Sequence, residues 1–132
     1  LEFAFFNFAY LKIKMKHNFR ELQIWQEGIE IAIKTYQICQ NFPKEELFGL
    51  TAQMKKASVS ISSNIAEGCG RGTDAQLVHF LDIALGSTCE LETQVIIAEK
   101  LNFLASDVAK EWIASIQQIQ KRTRTFRDKF AV

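Results

Sequence analysis

From Leu47 to Gly68, apolar or small residues return every third or fourth position without a gap: Leu47, Leu50, Met54, Ala57, Ile61, Asn64 and Gly68. That spacing keeps one face of an α-helix apolar for about six turns. A stripe of that length must be buried against other elements, and no strand signal competes with helix after residue 15. The far end of the stripe is unusual. Ser58, Ser60, Ser62 and Ser63 crowd into six residues just before Gly68, Gly70, Arg71 and Gly72. Serine is a mediocre helix former, so the run either lets a neighbouring helix come close or presents polar groups.

The remaining segments carry the same period. Asn18 and Glu21 have capping-box spacing, and Leu22, Trp25, Ile29, Ala32, Tyr36 and Cys39 follow as a heptad seam. A second set, Ile24, Gly28, Ile31, Thr35 and Ile38, lies about 110° around the same helix. Two stripes call for two partners, the first sign of an oligomer. Asn41-Phe42-Pro43 ends this helix, and Pro43 opens the next, with Glu45 and Glu46 at its positive end. Gly68 is expected beyond the cap of helix two with a positive φ, and Thr73 or Asp74 to cap helix three. That helix carries Leu77, Phe80, Ala84, Ser87, Leu91, Gln94, Ala98 and Leu101 on one face and Ile83, Gly86, Glu90, Thr93 and Ile97 on another. After a short connection, Ser106 and Asp107 start helix four, whose core side is Val108, Trp112, Ile116, Ile119, Thr123 and Phe126. Helices over about 19–41, 44–68, 74–101 and 106–128, joined by short connections, predict an all-α, antiparallel up-down-up-down four-helix bundle spanning residues 15–132.

Residues 1–14 do not share this pattern. Phe3, Phe5, Phe6 and Phe8 form an apolar run too short for the ~20 residues of a membrane span, and Lys12, Lys14 and Lys16 follow it rather than precede it as in a signal peptide. The reading is an extension outside a native domain that begins near Met15; the alternative is an aromatic arm docking on a neighbouring subunit. Cys39, Cys69 and Cys89 have neither metal-site spacing nor an even count for a disulfide framework. Reduced thiols, no membrane association and a cytoplasmic location are expected.

A formal charge of +1 hides an uneven distribution: residues 67–99 carry −5 and residues 121–129 carry +4. The positive end consists of Lys121, Arg122, Arg124, Arg127 and Lys129, a ladder suited to phosphates or to the acidic helix of a neighbour. Other chemistry is absent. His79 has only Ala75 and Ile83 four residues away, so no metal site is supported. No Glu-x-x-His pairs mark a di-iron bundle, and no histidine activates the serine run. Gly70-Arg71-Gly72 lacks the lysine and hydroxyl of a P-loop. Catalytic residues, cofactor and metal are therefore not assigned. Asn64, the one polar member of its seam, reads as a register-setting amide.

Several separated blocks agree with one pattern: Leu22-x-Ile24-Trp25-Gln26, Phe48-Gly49-Leu50, Ser60 to Gly68 with Arg71, and Gly86-Ser87 with Glu90-Leu91-Glu92. Over about residues 19–127 the chain resembles the four-helix bundle proteins encoded by intervening sequences in 23S ribosomal RNA genes, the S23 family. It is also similar to the accessory variability protein of diversity-generating retroelements. The resemblance implies a homopentameric ring of antiparallel bundles without established enzymatic activity, and by analogy a nucleic-acid-associated scaffold. Against that analogy, the charge beyond Met15 balances to zero. Three functional expectations follow: a ring that binds RNA or DNA through Lys121–Lys129; an adaptor that presents helix faces to a protein partner; and, third, an enzyme with a site at Asn64, Glu67, Arg71 and Glu90. Asn64, Glu67, Gly68, Arg71 and Glu90 are expected to hold the junction of helices two and three rather than do chemistry.

Overall fold

A computed structural model describes residues 17–132. Four helices account for most of them: α1 (Gln23–Cys39), α2 (Leu50–Cys69), α3 (Asp74–Lys100) and α4 (Ser106–Asp128), with no strand among the described residues. Short 3-10 turns at Phe19–Glu21 and Lys44–Glu46 lead into α1 and α2. The reading of residues 1–14 as an extension lies outside the described residues.

The order is up-down-up-down. Only residues 70–73 separate α2 from α3. That link reaches at most ~14 Å, whereas the 27 residues of α3 rise ~40 Å, so α3 must run back along α2. Side-chain pairs agree at every neighbour. Tyr36 meets Lys55 while Gly28 faces Ser62. Ser60 meets Ser87 while Gly68 faces Leu77 and Phe80. Asp82 meets Arg127 and Glu92 meets Gln117. Glu27 meets Arg122 and Lys34 meets Glu111. As one partner's number rises, the other's falls. The diagonal pairs, α1 with α3 and α2 with α4, do not approach, and α2–α3 is the most extensive interface, α1–α4 the thinnest.

The core is the set of inward stripes, with Trp112, Met54, Ile61, Ile65, Leu77, Leu81, Leu91, Ile116 and Ile119 essentially inaccessible. On α1 the two stripes differ in depth. Ile24, Gly28, Ile31 and Thr35 of the second are buried and Ile38 is half-buried, whereas in the first Leu22, Trp25, Ile29 and Ala32 are half-buried, Tyr36 is 46% exposed and only Cys39 is buried. The reason is Gly28: with no side chain it lets α1 settle on Ser62, whose Cβ would lie 3.1 Å from any Cβ added there. Trp25 instead stacks near Phe19, ring centroids 5.3 Å apart. The serines divide likewise. Ser58 and Ser62 are buried, Ser58 donating back to the Lys55 carbonyl, while Ser60 bonds across to α3. A hydroxyl that bonds inside its own helix can be buried without an orphan donor.

The ends of the helices correct several expectations. Asn18 accepts from the Arg20 amide at 3.2 Å, but it caps only the 3-10 turn; extended Leu22 then separates that turn from α1. The helix expected from residue 44 is likewise interrupted, and α2 starts after Gly49. Gly68 does not terminate α2 and no glycine has positive φ. It lies inside the helix and is buried, because an added Cβ would sit 3.0 Å from Phe80 Cβ and 3.2 Å from the Leu77 carbonyl. Thr73 caps α3 by accepting from the Gln76 amide. Among the described residues the left-handed one is Asn102, φ 62°, after α3. The Phe103 amide donates to Ala98 O and the Asn102 amide to Glu99 O, both at 2.9 Å, the paired bonds of a Schellman motif.

These contacts give opposite expectations for two glycines. Gly68→Ala forces α3 away from α2 and lowers stability by about 1–3 kcal/mol. Gly86→Ala meets nothing within 4 Å and, as a mid-helix replacement, stabilises the isolated bundle by roughly 0.5–1 kcal/mol. Urea unfolding monitored by circular dichroism measures both.

Candidate nucleic-acid interface

The five cations at the end of α4 do not share one face. At 100° per residue, Arg124 and Arg127 turn toward α3, Arg122 and Lys129 toward α1, and Lys121 lies on the crest between them. Arg127 is consumed structurally. Its Nε and Nη2 donate to the two carboxylate oxygens of Asp82 at 2.9 and 3.2 Å, and Nη1 reaches Asp128 at 3.2 Å. These bonds hold the guanidinium more firmly protonated than usual. Arg122 pairs with Glu27 of α1 at 2.9 Å. Lys121, Arg124 and Lys129 have no ion-pair partner among the described residues, and all three are exposed.

Two depressions flank the crest. One, between α3 and α4, is lined by Asp82, Gly86, Cys89, Gln120, Lys121 and Arg124 among others. Its wall is tied by Gln120, which donates to Glu92 at 2.9 Å. The other, about 330 Å³, runs between the start of α1 and the last turns of α4, with Lys121, Arg122 and Lys129 around Leu22, Ile24 and Phe126. Sequence reasoning missed the α1 side of this groove and the role of Asp82. The Lys121, Thr125 and Lys129 spacing was there to be read, but contacts from residues 45 or more positions away were not.

The junction residues fall into three separate groups of bonds rather than one site. Asn64 Nδ2 donates to the Ser60 carbonyl and to Ser60 Oγ, each at 2.8 Å. Ser87 Oγ donates to the Ile83 carbonyl at 3.2 Å, which spends its only proton. Ser60 is therefore the donor in the 2.8 Å bond between Ser60 and Ser87. Asn64 thus reaches α3 through a chain of hydroxyls. Arg71 donates to Glu67 at 2.7 Å, and its guanidinium lies 4.9 Å from the Phe80 ring centroid of α3. This pair is half-exposed, beside an open depression lined by Ser63, Ala66 and Gly70. Glu90 is exposed and accepts from Gln94 on its own helix. Asn64, Glu67, Arg71 and Glu90 do not converge on a common reacting position by any of these bonds. No group of three metal-capable side chains exists among the described residues, and none of their helices is long and apolar enough to cross a membrane.

With this geometry in view, known proteins can be compared. A family model described as the 23S rRNA-intervening sequence protein matches residues 20–125. The chain belongs to that family. The matched region takes in all of α1, α2 and α3 and most of α4, including Lys121, Arg122 and Arg124. The fold is also similar to the crystal structure of a protein of unknown function from the S23 ribosomal protein family of Bacteroides thetaiotaomicron. The TM-score is 0.71 at 19% identity, covering 79% of this chain and 97% of that one. At that identity the likeness establishes the fold. No curated protein matches the sequence.

The cysteines supply a check on the packing. Cys39 and Cys69 are buried and Cys89 is exposed. Burial pushes the Cys69 thiol up to about 11 and also raises Cys39, where Lys55 opposes the shift. Because the folded-state value of Cys69 is raised, its contribution is fully present below about pH 9 and is lost as pH climbs toward 11. In that window the unfolded chain has released the proton and the folded chain still holds it, a loss of ~1.4 kcal/mol per pH unit. One thiol per folded chain should react promptly with a maleimide at neutral pH. The denaturation midpoint should fall between pH 9 and 11, less steeply in Cys69→Ala.

Proposed function

We propose that this family member is a non-enzymatic, self-assembling helical scaffold that associates with nucleic acid through the α4 end. The observation that carries this reading is the clustering of three exposed cations, Lys121, Arg124 and Lys129, at one end of α4, with no ion-pair partner among the described residues. Cations that have no acid to pair with are free to replace the counterions of a phosphate backbone. The lack of convergence among Asn64, Glu67, Arg71 and Glu90 supports a role without catalysis or cofactor.

Self-assembly is supported by the outer face of α3, where Ile83 and Ile97 are 39% and 43% exposed. Gly86 lies between them with open space above it. A mid-helix glycine costs ~1 kcal/mol relative to alanine, and nothing inside one described chain requires its smallness. The half-buried Trp25–Ile29–Ala32 stripe with exposed Ile33 and Tyr36 supplies a second, partly exposed apolar face. Two different faces per chain fit a head-to-tail ring, and a homopentamer is the favoured closure; a ring multiplies each weak phosphate contact. A cytoplasmic setting accords with the reduced thiols and is part of the proposal. The second reading, an adaptor that binds a protein and not RNA, is favoured by Phe48, which is 92% exposed at the turn before α2.

Sedimentation equilibrium should give a mass near five chains, and Gly86→Tyr should shift it toward one; a monomer in the parent protein contradicts the ring. In filter retention with structured RNA, Lys121→Glu with Arg124→Glu should lower affinity at least tenfold at 150 mM salt. Retention unchanged by that pair, with a protein partner surviving nuclease in its place, supports the adaptor.

A further inference from the structure

We infer that the groove between the start of α1 and the last two turns of α4 seats one unstacked nucleotide of a single-stranded nucleic acid. This deepens the nucleic-acid reading above and rests on it. Lys121, Thr125 and Lys129 recur every fourth residue and form one lip, spanning ~12 Å along α4. Phe126, half-buried, forms the floor together with Leu22 and the buried Ile24. The Phe126 ring is braced by edge contacts to Phe130 at 5.1 Å and His17 at 6.0 Å between centroids. No carboxylate lines the groove, and Glu27, farther along α1, is engaged by Arg122. Lys121 and Lys129 therefore stand at either end of an apolar, partly aromatic floor with their charges unspent.

That combination distinguishes this groove from the others on the molecule. The depression halfway along the same α1–α4 seam is lined by Glu27 and Glu30, which repel an anion, and by Lys34, which is already paired with Glu111. The one at the opposite end, around Ile38, Phe103, Leu104 and Val108, has no charge. The α3–α4 depression is cationic but includes Asp82 and offers no aromatic ring. A ligand that fits an apolar, aromatic floor between two cations has a flat apolar face with phosphates on both sides. In a duplex the base faces are hidden by stacking, so phosphate contacts alone would remain; in a single strand a base can be splayed onto an aromatic side chain. The volume of about 330 Å³ lies at the small end of ligand sites, room for one nucleotide rather than a stack.

The test uses the full chain, with fluorescence anisotropy of a labelled octa-uridine and of a hairpin with an eight-base-pair stem. Octa-uridine is expected to bind at least tenfold more tightly than the hairpin. Phe126→Leu, which keeps the apolar contact with the core, is expected to weaken octa-uridine about five- to a hundredfold and leave the hairpin unchanged; Phe126→Tyr is expected to bind like the parent. Lys121→Gln with Lys129→Gln is expected to weaken both RNAs. Photo-cross-linking with 4-thiouridine gives an independent readout on the unsubstituted protein, with adducts expected at residues 22–24 and 121–129. Equal affinity for the hairpin, indifference of octa-uridine to Phe126→Leu, or adducts confined to the α3–α4 depression would overturn the nucleotide seat while leaving RNA association intact. Failure of both RNAs to bind would overturn both readings. Cross-links from Lys121 or Lys129 to a second copy without RNA would assign the groove to a neighbouring subunit and overturn it as well.

Discussion

The architecture depends on how closely α2 and α3 approach. Gly68 has no side chain, so Leu77 and Phe80 lie against its backbone, and about two helical turns away Ser60 and Ser87 bond directly. Bulky residues at these positions would hold the helix axes apart, and the hydroxyl chain from Asn64 to the Ile83 carbonyl could not form. Once α3 is seated on α2, its remaining length determines where α4 must lie. Glu92 then holds Gln117 and Gln120, and Asp82 receives Arg127. The consequence falls on the opposite side. α1 is tied closely to α2 through Gly28 and Ser62, and the seam between α1 and α4 is the least extensive of the four.

This packing order also sorts the charges. The acidic span 67–99 is mostly α3, and the basic span 121–129 is the end of its neighbour α4. Antiparallel packing brings them together, and the attraction is partly spent within the chain. Arg127 is held by Asp82 and Arg122 by Glu27, so the +4 end presents fewer usable cations than its composition implies. What it does present is better arranged. Lys121 on the crest serves two depressions, and one of these combines cations with an aromatic floor.

Several expectations changed for one physical reason. Periodicity reports that a residue faces something apolar but not how near that neighbour comes. On α1, both stripes were legible but their depth was not; Gly28 decides it, because a missing side chain invites the closer contact. Gly68 reads in sequence as a helix end with special φ; its actual use is space, and the left-handed position falls to Asn102. Asn64 and Glu90, placed together as junction residues, belong to separate hydrogen-bond networks, since Glu90 turns to Gln94 and solvent.

The sequence by itself determined four helices, their approximate bounds, their antiparallel order and the family blocks that run through them. Those properties follow from local period, breakers and connection length, all of which act over a few neighbouring residues. Only the tertiary structure decided which cations remain unpaired, which apolar stripe is buried, and that Leu22 and Ile24 join Phe126 in a groove. These depend on axial distance and rotation between helices whose contacting residues are far apart in the chain. Both quantities are set by the sum of side chains across each interface, and a one-dimensional pattern does not carry that sum.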